Sequence, residues 1–361
     1  MAQSYSAQEI RELRQTWPLP SAPRPIISIG CGGIVHDAHL PAYTKSGLPI
    51  AGLFDINQEK AKALARKFGV DRVYASLAEA AAEQGVVFDV ALPPDAVLET
   101  VRALPEGAVV LIQKPLGQNL HEAERIVQIC REKRLTAAVN FQLRFSPMML
   151  AIRDAIDQGM IGEITDISLH FTARQPWQLW PFLAELEAVE VLMHSIHYLD
   201  WIRSVLGEPD GVYCHSVGHP NHPDLADART STILNYGHRI RCCLSLNHTW
   251  KHAGPYQEAG IRIDGQHGAA YVKLGLLLNY PEGEPDELHV KTEGTEWIAV
   301  PMSGRWFPDA FVGVMSNLQR FAAGEDQHLP TAVDDAARTM ALVEACWRSS
   351  KLGGTPVPRS Q

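Results

Sequence analysis

None of the six cysteines of this chain forms a C-x-x-C pair; only Cys242 and Cys243 are neighbours. Neither a zinc ribbon nor a disulfide framework follows from such spacing. The first 25 residues lack the apolar core of an export signal, because Arg11, Glu12, Arg14 and Gln15 stand where it belongs. Reduced thiols and a cytoplasmic address are therefore expected. No apolar run reaches membrane-spanning length, so no transmembrane helix is expected. Positive charge is in deficit, with 32 Lys and Arg against 41 Asp and Glu and a net charge of −9. That excludes the basic footprint of a nucleic-acid binder and the polybasic patch of a membrane-surface protein. Gly and Pro, at 27 and 24 of 361 residues, are too few for a collagen-like or low-complexity chain.

What is present fits two domains: 361 residues, 46% of them hydrophobic. Residues 1–25 form an N-terminal arm. Ser6 and Glu9 make a capping pair for a short helix over 6–17, and Pro18, Pro20, Pro23 and Pro25 then hold the chain extended. From 26 to 145 short apolar strands (26–29, 50–55, 86–92, 109–112, 137–141) alternate with helical segments (36–46, 58–68, 77–84, 95–103, 119–133). Such alternation predicts an α/β domain of the Rossmann type, a doubly wound parallel sheet. After a helix over 146–158 the period changes to two. Ile167, Leu169 and Phe171 fall on one face of 165–173, and Ile240, Cys242, Leu244 and Leu246 on one face of 239–250. Residues 146–361 thus read as an α+β domain with an open, mostly antiparallel sheet. Its two closing helices, 307–323 and 334–350, are candidates to pack back on the first domain.

Gly30, Cys31, Gly32, Gly33 and Ile34 follow the first strand and open a helix. There the glycines let backbone approach a pyrophosphate at a helix N-terminus. Asp55, about 20 residues on at the second strand's end, suits the ribose hydroxyls and repels a 2′-phosphate. NAD is therefore expected over NADP. The usual small residue at the loop's last position is Val35 here. Leu92, Pro93, Pro94, Gln113 and Lys114 follow the third and fourth strands, at the sheet edge where ligands bind, and are expected to meet the same cofactor.

These residues lie in stretches that resemble the glucose–fructose oxidoreductase/inositol dehydrogenase (Gfo/Idh/MocA) family. The pieces are GCGGI…HLPAY (30–43), FDINQEKAKALARKFG (54–69), VALPPDAV (90–97), QKPL (113–116), RFSP (144–147), GMIGEI (159–164), HYLD (197–200) and GGTPV (353–357). The resemblance implies an NAD(P)-binding domain, a C-terminal domain whose open sheet face serves oligomerisation, and oxidation or reduction of sugars, cyclitols and related polyols. It also carries catalytic roles to Lys114 and His197. Two positions depart from the family pattern: its Glu-Lys-Pro reads Gln113-Lys114-Pro115, and its Asp four residues before the catalytic His is Met193.

Hydride removal from a secondary alcohol needs a base for the hydroxyl proton and a cation or donor for the developing oxyanion. Lys114 suits the second need and His197, titrating near neutrality, the first. Residues 187–203 read as one largely buried helix. At about 100° per residue, Glu190, His194 and His197 fall within roughly 60° of one another. Glu190 or His194 is expected to take over the orienting role of the missing Asp. The same spacing suits metal ligands, but nicotinamide chemistry with Lys114 needs none, and no metal is expected. Asp200 reads as structural. Arg144 either anchors the domain junction or contacts ligand. Trp177 and Trp180, in a Pro-flanked loop, could face sugar C–H groups, and His248 could reach substrate from a strand end. His219 and His222 are expected in solvent. The chain is thus expected to be an NAD-dependent oxidoreductase of a sugar, sugar acid, lactone or cyclitol, and a homodimer or homotetramer. The alternatives are a glycosidase using NAD for transient oxidation, and a catalytically impaired NAD-binding regulator.

Overall fold

In the computed structural model the described residues are 5–177, 181–252, 254–280 and 282–357. The arm carries α1 (Ala7–Arg11), whose Ser6 and Glu9 form the capping box expected from sequence. Ile10 and Leu13 are buried. The arm lies on its own chain: Arg14 N–H donates to Asp154 and the Trp17 ring N–H to Asp326, each over 2.9 Å.

Five parallel strands follow: β1 (Ile26–Ile29), β2 (Ile50–Phe54), β3 (Val87–Val90), β4 (Val109–Ile112) and β5 (Thr136–Val139). Every residue of β1, β3 and β4 is buried, as strands covered on both faces require. The strand order is β2-β1-β3-β4-β5. Direction of winding therefore reverses between β1 and β3, which opens a crevice at their carboxyl ends. The helices of this layer are α2 (Leu40–Ser46), α3 (Gln58–Phe68), α4 (Leu77–Ala81), α5 (Pro94–Ala103) and α6 (Leu120–Glu132). The sequence places the helix after the glycine loop at 36–46; its first turn, Val35–His39, is instead π-helical. Such a turn widens the helix where the bulky Val35 is buried.

The second layer comprises α7 (Pro147–Asp157), α8 (Ile196–Leu206), α9 (Asp309–Ala322), α10 (Val333–Leu352) and eight strands. The strands are β6 (Ile164–Thr172), β7 (Gly211–Val217), β8 (Arg229–Tyr236), β9 (Ile240–Asn247), β10 (Glu258–Gly265), β11 (Gly268–Lys273), β12 (Glu287–Thr292) and β13 (Ile298–Val300). Their order is β13-β12-β11-β10-β6-β9-β8-β7, antiparallel except for β6 with β9. Register sets two rows across this sheet. Cys214, Thr232, Leu244, Leu169, Ile261, Val272, Leu288 and Val300 form one, all buried. Tyr213, Ile233, Cys243, Ser168, Arg262 and Tyr271 belong to the other, open face. The apolar Ile167 and Leu169 face is thus already core of this chain. β11 ends at Lys273, and Gly275–Leu277 beyond it is a 3-10 turn.

The closing helices do return to the first domain. Val139 N–H donates to Thr331 O over 2.8 Å beside β5, and Lys45 pairs with Asp309 over 2.6 Å. Among the described residues no helix is long and apolar enough to cross a membrane.

Candidate active site

The crevice at the ends of β1, β3 and β4 deepens into a cleft of about 270 Å³ between the domains. Gly32, Gly33, Ile34, Leu92, Pro93, Pro94, Gln113 and Lys114 line its first-domain side. Gly30 is glycine for internal reasons: φ is +103°, and a Cβ would stand 2.3 Å from Ala91 O. Gly32 differs. A Cβ there would meet no protein atom within 4 Å, so its lack of a side chain leaves room for a ligand rather than for the fold. This is the close backbone approach that a pyrophosphate needs, and the loop fits the nicotinamide dinucleotide. Cys31 and Asp55 sit outside the cleft lining. Asp55 Oδ2 accepts from Cys31 N–H over 2.8 Å and its Oδ1 from Asn57 N–H over 2.7 Å. The carboxylate is thereby fixed at the end of β2, beside the glycine loop. Replacing Asp55 by Ser is expected to narrow the affinity gap between NAD and NADP, read by fluorescence titration of both reduced cofactors. A wild-type preference for NADP contradicts this reading.

Beneath the cleft floor lies a buried polar group around His39. His39 Nδ1 meets Asp89 Oδ2 at 2.7 Å, and Tyr43 OH donates to the same oxygen over 2.9 Å. The amides of Asn140 and Gln113 approach His39 Nε2 at 3.3 and 3.5 Å. Gln113 Oε1 also accepts from Lys114 N–H over 2.9 Å. A neutral amide at 113 therefore serves as donor to an imidazole and acceptor from the backbone at once.

Lys114 is half-buried, and its Nζ donates to the carbonyl of Met193 over 2.9 Å. The departure from the family Asp thus leaves the lysine tied to position 193 by backbone instead of side chain. Desolvation lowers its pKa to about 8. His197 lines the same cleft, edge-on to Trp306 with ring centroids 6.1 Å apart. Burial, then the charge of Lys114, holds its pKa well below the ordinary histidine value. Both effects favour its neutral imidazole form.

The helix over 187–203 is not regular. It begins with a π-helical turn, Val191–Ser195, before α8, and Ile196 N–H reaches back five residues to Val191 O. This changes the grouping expected at 100° per residue. Glu190 hydrogen-bonds groups other than His197. Its carboxylate accepts from Ser195 Oγ over 2.8 and 3.0 Å, five residues on, and meets His248 Nε2 at 3.2 Å. His194 stacks on His248, ring centroids 4.2 Å apart. No described residue hydrogen-bonds the buried Nδ1 of His197, so neither Glu190 nor His194 orients it through that atom. π turns recur at functional sites because they redirect side chains in this way.

Other sequence candidates fall elsewhere. Arg144 does not line the cleft. It makes a bidentate pair with Asp200, both contacts 2.6 Å, and a further bond to Asp335 at 2.7 Å. Its ligand-contact option is thereby corrected: the guanidinium is consumed in the domain junction, and Asp200 is structural as expected. Trp177 is buried behind the histidines. It donates to His248 O over 3.2 Å and stands edge-on to His194 at 5.1 Å, so its ring backs the site instead of facing sugar. Trp180 lies outside the described residues. His219 and His222, expected in solvent, are half-buried because they pack on each other, centroids 6.1 Å apart. Gln175, Tyr198, Trp306 and Tyr280 line the cleft without having been singled out from sequence. Gln175 opens the flagged Trp177 loop, and Trp306 precedes Phe307-Pro308 at a helix start; both signals were present.

Fold and cleft together define a nicotinamide-dependent oxidoreductase. Residues 26–141 match a family model described as an oxidoreductase family with NAD-binding Rossmann fold, and residues 149–271 match the GFO/IDH/MocA C-terminal domain. A dTDP-3,4-didehydro-2,6-dideoxy-alpha-D-glucose 3-reductase of Streptomyces violaceoruber is 32% identical over 335 residues, 90% of this chain and 94% of that one. A D-apiose dehydrogenase of Rhizobium rhizogenes is 25% identical over 343 residues, covering 91% and 95%. Among solved structures, a levoglucosan dehydrogenase in complex with NADH and levoglucosan superposes with a TM-score of 0.77 at 17% identity, over 92% of this chain and 98% of that one. The chain belongs to the GFO/IDH/MocA oxidoreductase family.

Proposed function

We propose that this enzyme moves a hydride between NAD and a CH–OH carbon of a sugar, sugar acid, lactone or cyclitol, with Lys114 and His197 as its catalytic residues. One observation carries the reading: five residues lining the cleft, His194, His197, His248, Gln175 and Trp306, each hold a buried nitrogen without a hydrogen-bond partner among the described residues. Buried donors and acceptors are ordinarily paired. So many unpaired around one cleft suit a ligand dense in hydroxyls. The relatives named for sugar chemistry support the same class.

When bound, the nicotinamide accepts or returns the hydride. The protein supplies the rest. Neutral His197 takes the hydroxyl proton, and the Lys114 ammonium donates to the oxygen as charge develops on it. A panel of polyols, aldonates and glycosides with NAD and NADP, followed at the reduced-nicotinamide absorbance, tests the reading. A chain that binds NAD yet oxidises none of them contradicts it.

The pKa shifts give the profile a shape. For alcohol oxidation, kcat/KM falls on the acid side only well below the ordinary histidine value of about 6.5, because His197 resists protonation. It falls again at or below about 8 on the alkaline side, as the Lys114 ammonium is lost. Oxidised nicotinamide, a like charge, moves that limb further down. Lys114→Arg, which keeps its charge, is expected to abolish the alkaline limb; an unchanged limb refutes the assignment.

The oligomer engages the open face of the second sheet. Tyr213 and Ile233, cross-strand partners there, are 68% and 52% exposed, and such apolar pairs are covered in assemblies. Light scattering is expected to return a multiple of the 39.8 kDa chain mass, and Ile233→Asp to return one chain. A wild-type monomer at micromolar concentration refutes it.

A further inference from the structure

Glu190, His194 and His248 form a polar cluster beside the cleft that has no catalytic role in hydride transfer. Glu190 precedes the π turn, His194 lies within it, and His248 follows β9. One ligand atom from each lies within 4.8 Å of the others. We propose that Glu190, His194 and His248 bind a divalent transition-metal ion, and that its remaining positions face the cleft and take substrate oxygens.

Charge is the first argument. Glu190 is 0% and Asp227 5% exposed. The backbone N–H of Glu190 donates to Asp227 Oδ1 over 2.8 Å, so the two acidic residues are neighbours. Among the described residues neither forms an ion pair with a lysine or arginine; His248 is the one basic partner of Glu190. Two buried carboxylates without a cation are costly. A divalent ion supplies the missing charge.

Unused nitrogen is the second, independent argument. His248 is 1% exposed, and among the described residues its Nδ1 has no hydrogen-bond partner; nor has the buried Nδ1 of His194. Trp177, packed on both rings, restricts their motion.

Two imidazoles and a carboxylate are the donor set of catalytic zinc and of related first-row ions, while magnesium and calcium prefer oxygen throughout. With bonds of about 2.0–2.1 Å, tetrahedral ligand atoms stand roughly 3.3 Å apart. The trio closes by about 1.5 Å at its widest to reach that geometry, a displacement that side-chain rotation supplies. Three protein ligands leave at least one position open, as catalytic sites do. Because His194 and His248 line the cleft, that position is available to a substrate hydroxyl, carbonyl or carboxylate. The site stands by itself; its role as substrate anchor rests on the oxidoreductase reading.

The experiment uses the full chain, stripped with a chelator and returned to metal-free buffer, with neither NAD nor substrate present. Calorimetric titration with Zn²⁺ is expected to give one site per chain, and Co²⁺ to give visible absorption bands of a nitrogen- and oxygen-ligated ion. Glu190→Gln, which keeps shape and removes charge, and His194→Gln are each expected to weaken Zn²⁺ at least tenfold and to erase the Co²⁺ bands. Thermal melts establish that each variant is folded, and a variant that does not fold is replaced by His248→Gln. His219→Gln combined with His222→Gln, the rival histidine pair, is expected to keep the site intact. A wild-type chain that takes up no Zn²⁺ overturns the proposal. So does binding lost in the His219/His222 variant and kept in Glu190→Gln and His194→Gln. Intact Zn²⁺ binding with no NAD-dependent turnover of any polyol overturns the functional reading alone.

Discussion

Lys114→Ala and His197→Ala each lower NAD-dependent turnover by about two to four orders of magnitude, the usual worth of acid–base and charge-stabilising groups. NAD affinity is expected to change little, because on the proposed reading the glycine loop holds the pyrophosphate and the end of β2 the ribose. The reason for two large effects is that each residue has a separate task. On the proposed reading, burial favours the neutral imidazole of His197, which accepts the proton without first losing one. The amine of Lys114, held by the Met193 carbonyl, would meet the reacting oxygen without reorganising. Met193→Asp does not rescue His197→Ala, since a carboxylate one helical turn away cannot reach the same proton. Steady-state kinetics with saturating NAD, and cofactor binding measured separately, check all three. Equal loss of turnover and NAD affinity shows that the residues hold the cofactor instead.

The second large effect is on stability. Arg144→Met is expected to cost about 3–5 kcal/mol, the typical price of breaking a buried ion pair from one side. It strands Asp200, which is 1% exposed, together with Asp335. Arg144→Met combined with Asp200→Asn is expected to be less damaging than Arg144→Met alone, because the amide carries no charge to strand. Urea unfolding of the three proteins tests the order. A single variant within 1 kcal/mol of wild type, by the same measure, shows that the pair is not coupled in this way. Turnover is expected to fall as well. Asp200 lies three residues beyond His197 on α8, so Arg144 holds the catalytic helix against the segment that follows β5.

Local chemistry was readable in the sequence where the chain itself supplies it. The apolar strands of the first sheet, the glycine loop and Lys114 each declare themselves within a few residues. Period two identified the core faces of β6 and β9 correctly: Ile167, Leu169, Phe171, Cys242, Leu244 and Leu246 are all buried within this chain. The polar end of the cleft was legible in its parts and not in its arrangement. A regular helix puts Glu190, His194 and His197 on one stripe; a π turn of five residues redistributes them. His248 joins Glu190 from 58 residues further along the chain, a pairing that no local period encodes. Gln113 reads as a loss when compared with the family's Glu, but the His39 imidazole beside it shows an amide matched to its neighbours.

The return of α9 and α10 to the first domain has a mechanical consequence. The chain crosses between the layers after β5 and comes back to the same strand, where Ala332 bridges Ala138 and Thr331 accepts from Val139. Arg144 rivets both crossings together by holding Asp200 and Asp335 at once. A two-domain enzyme joined by one strand of linker can open like a jaw. Here the frame is closed on itself, and the cleft between the layers, lined by Phe182 and Leu277 among others, sits inside a closed loop of chain instead of between two free jaws.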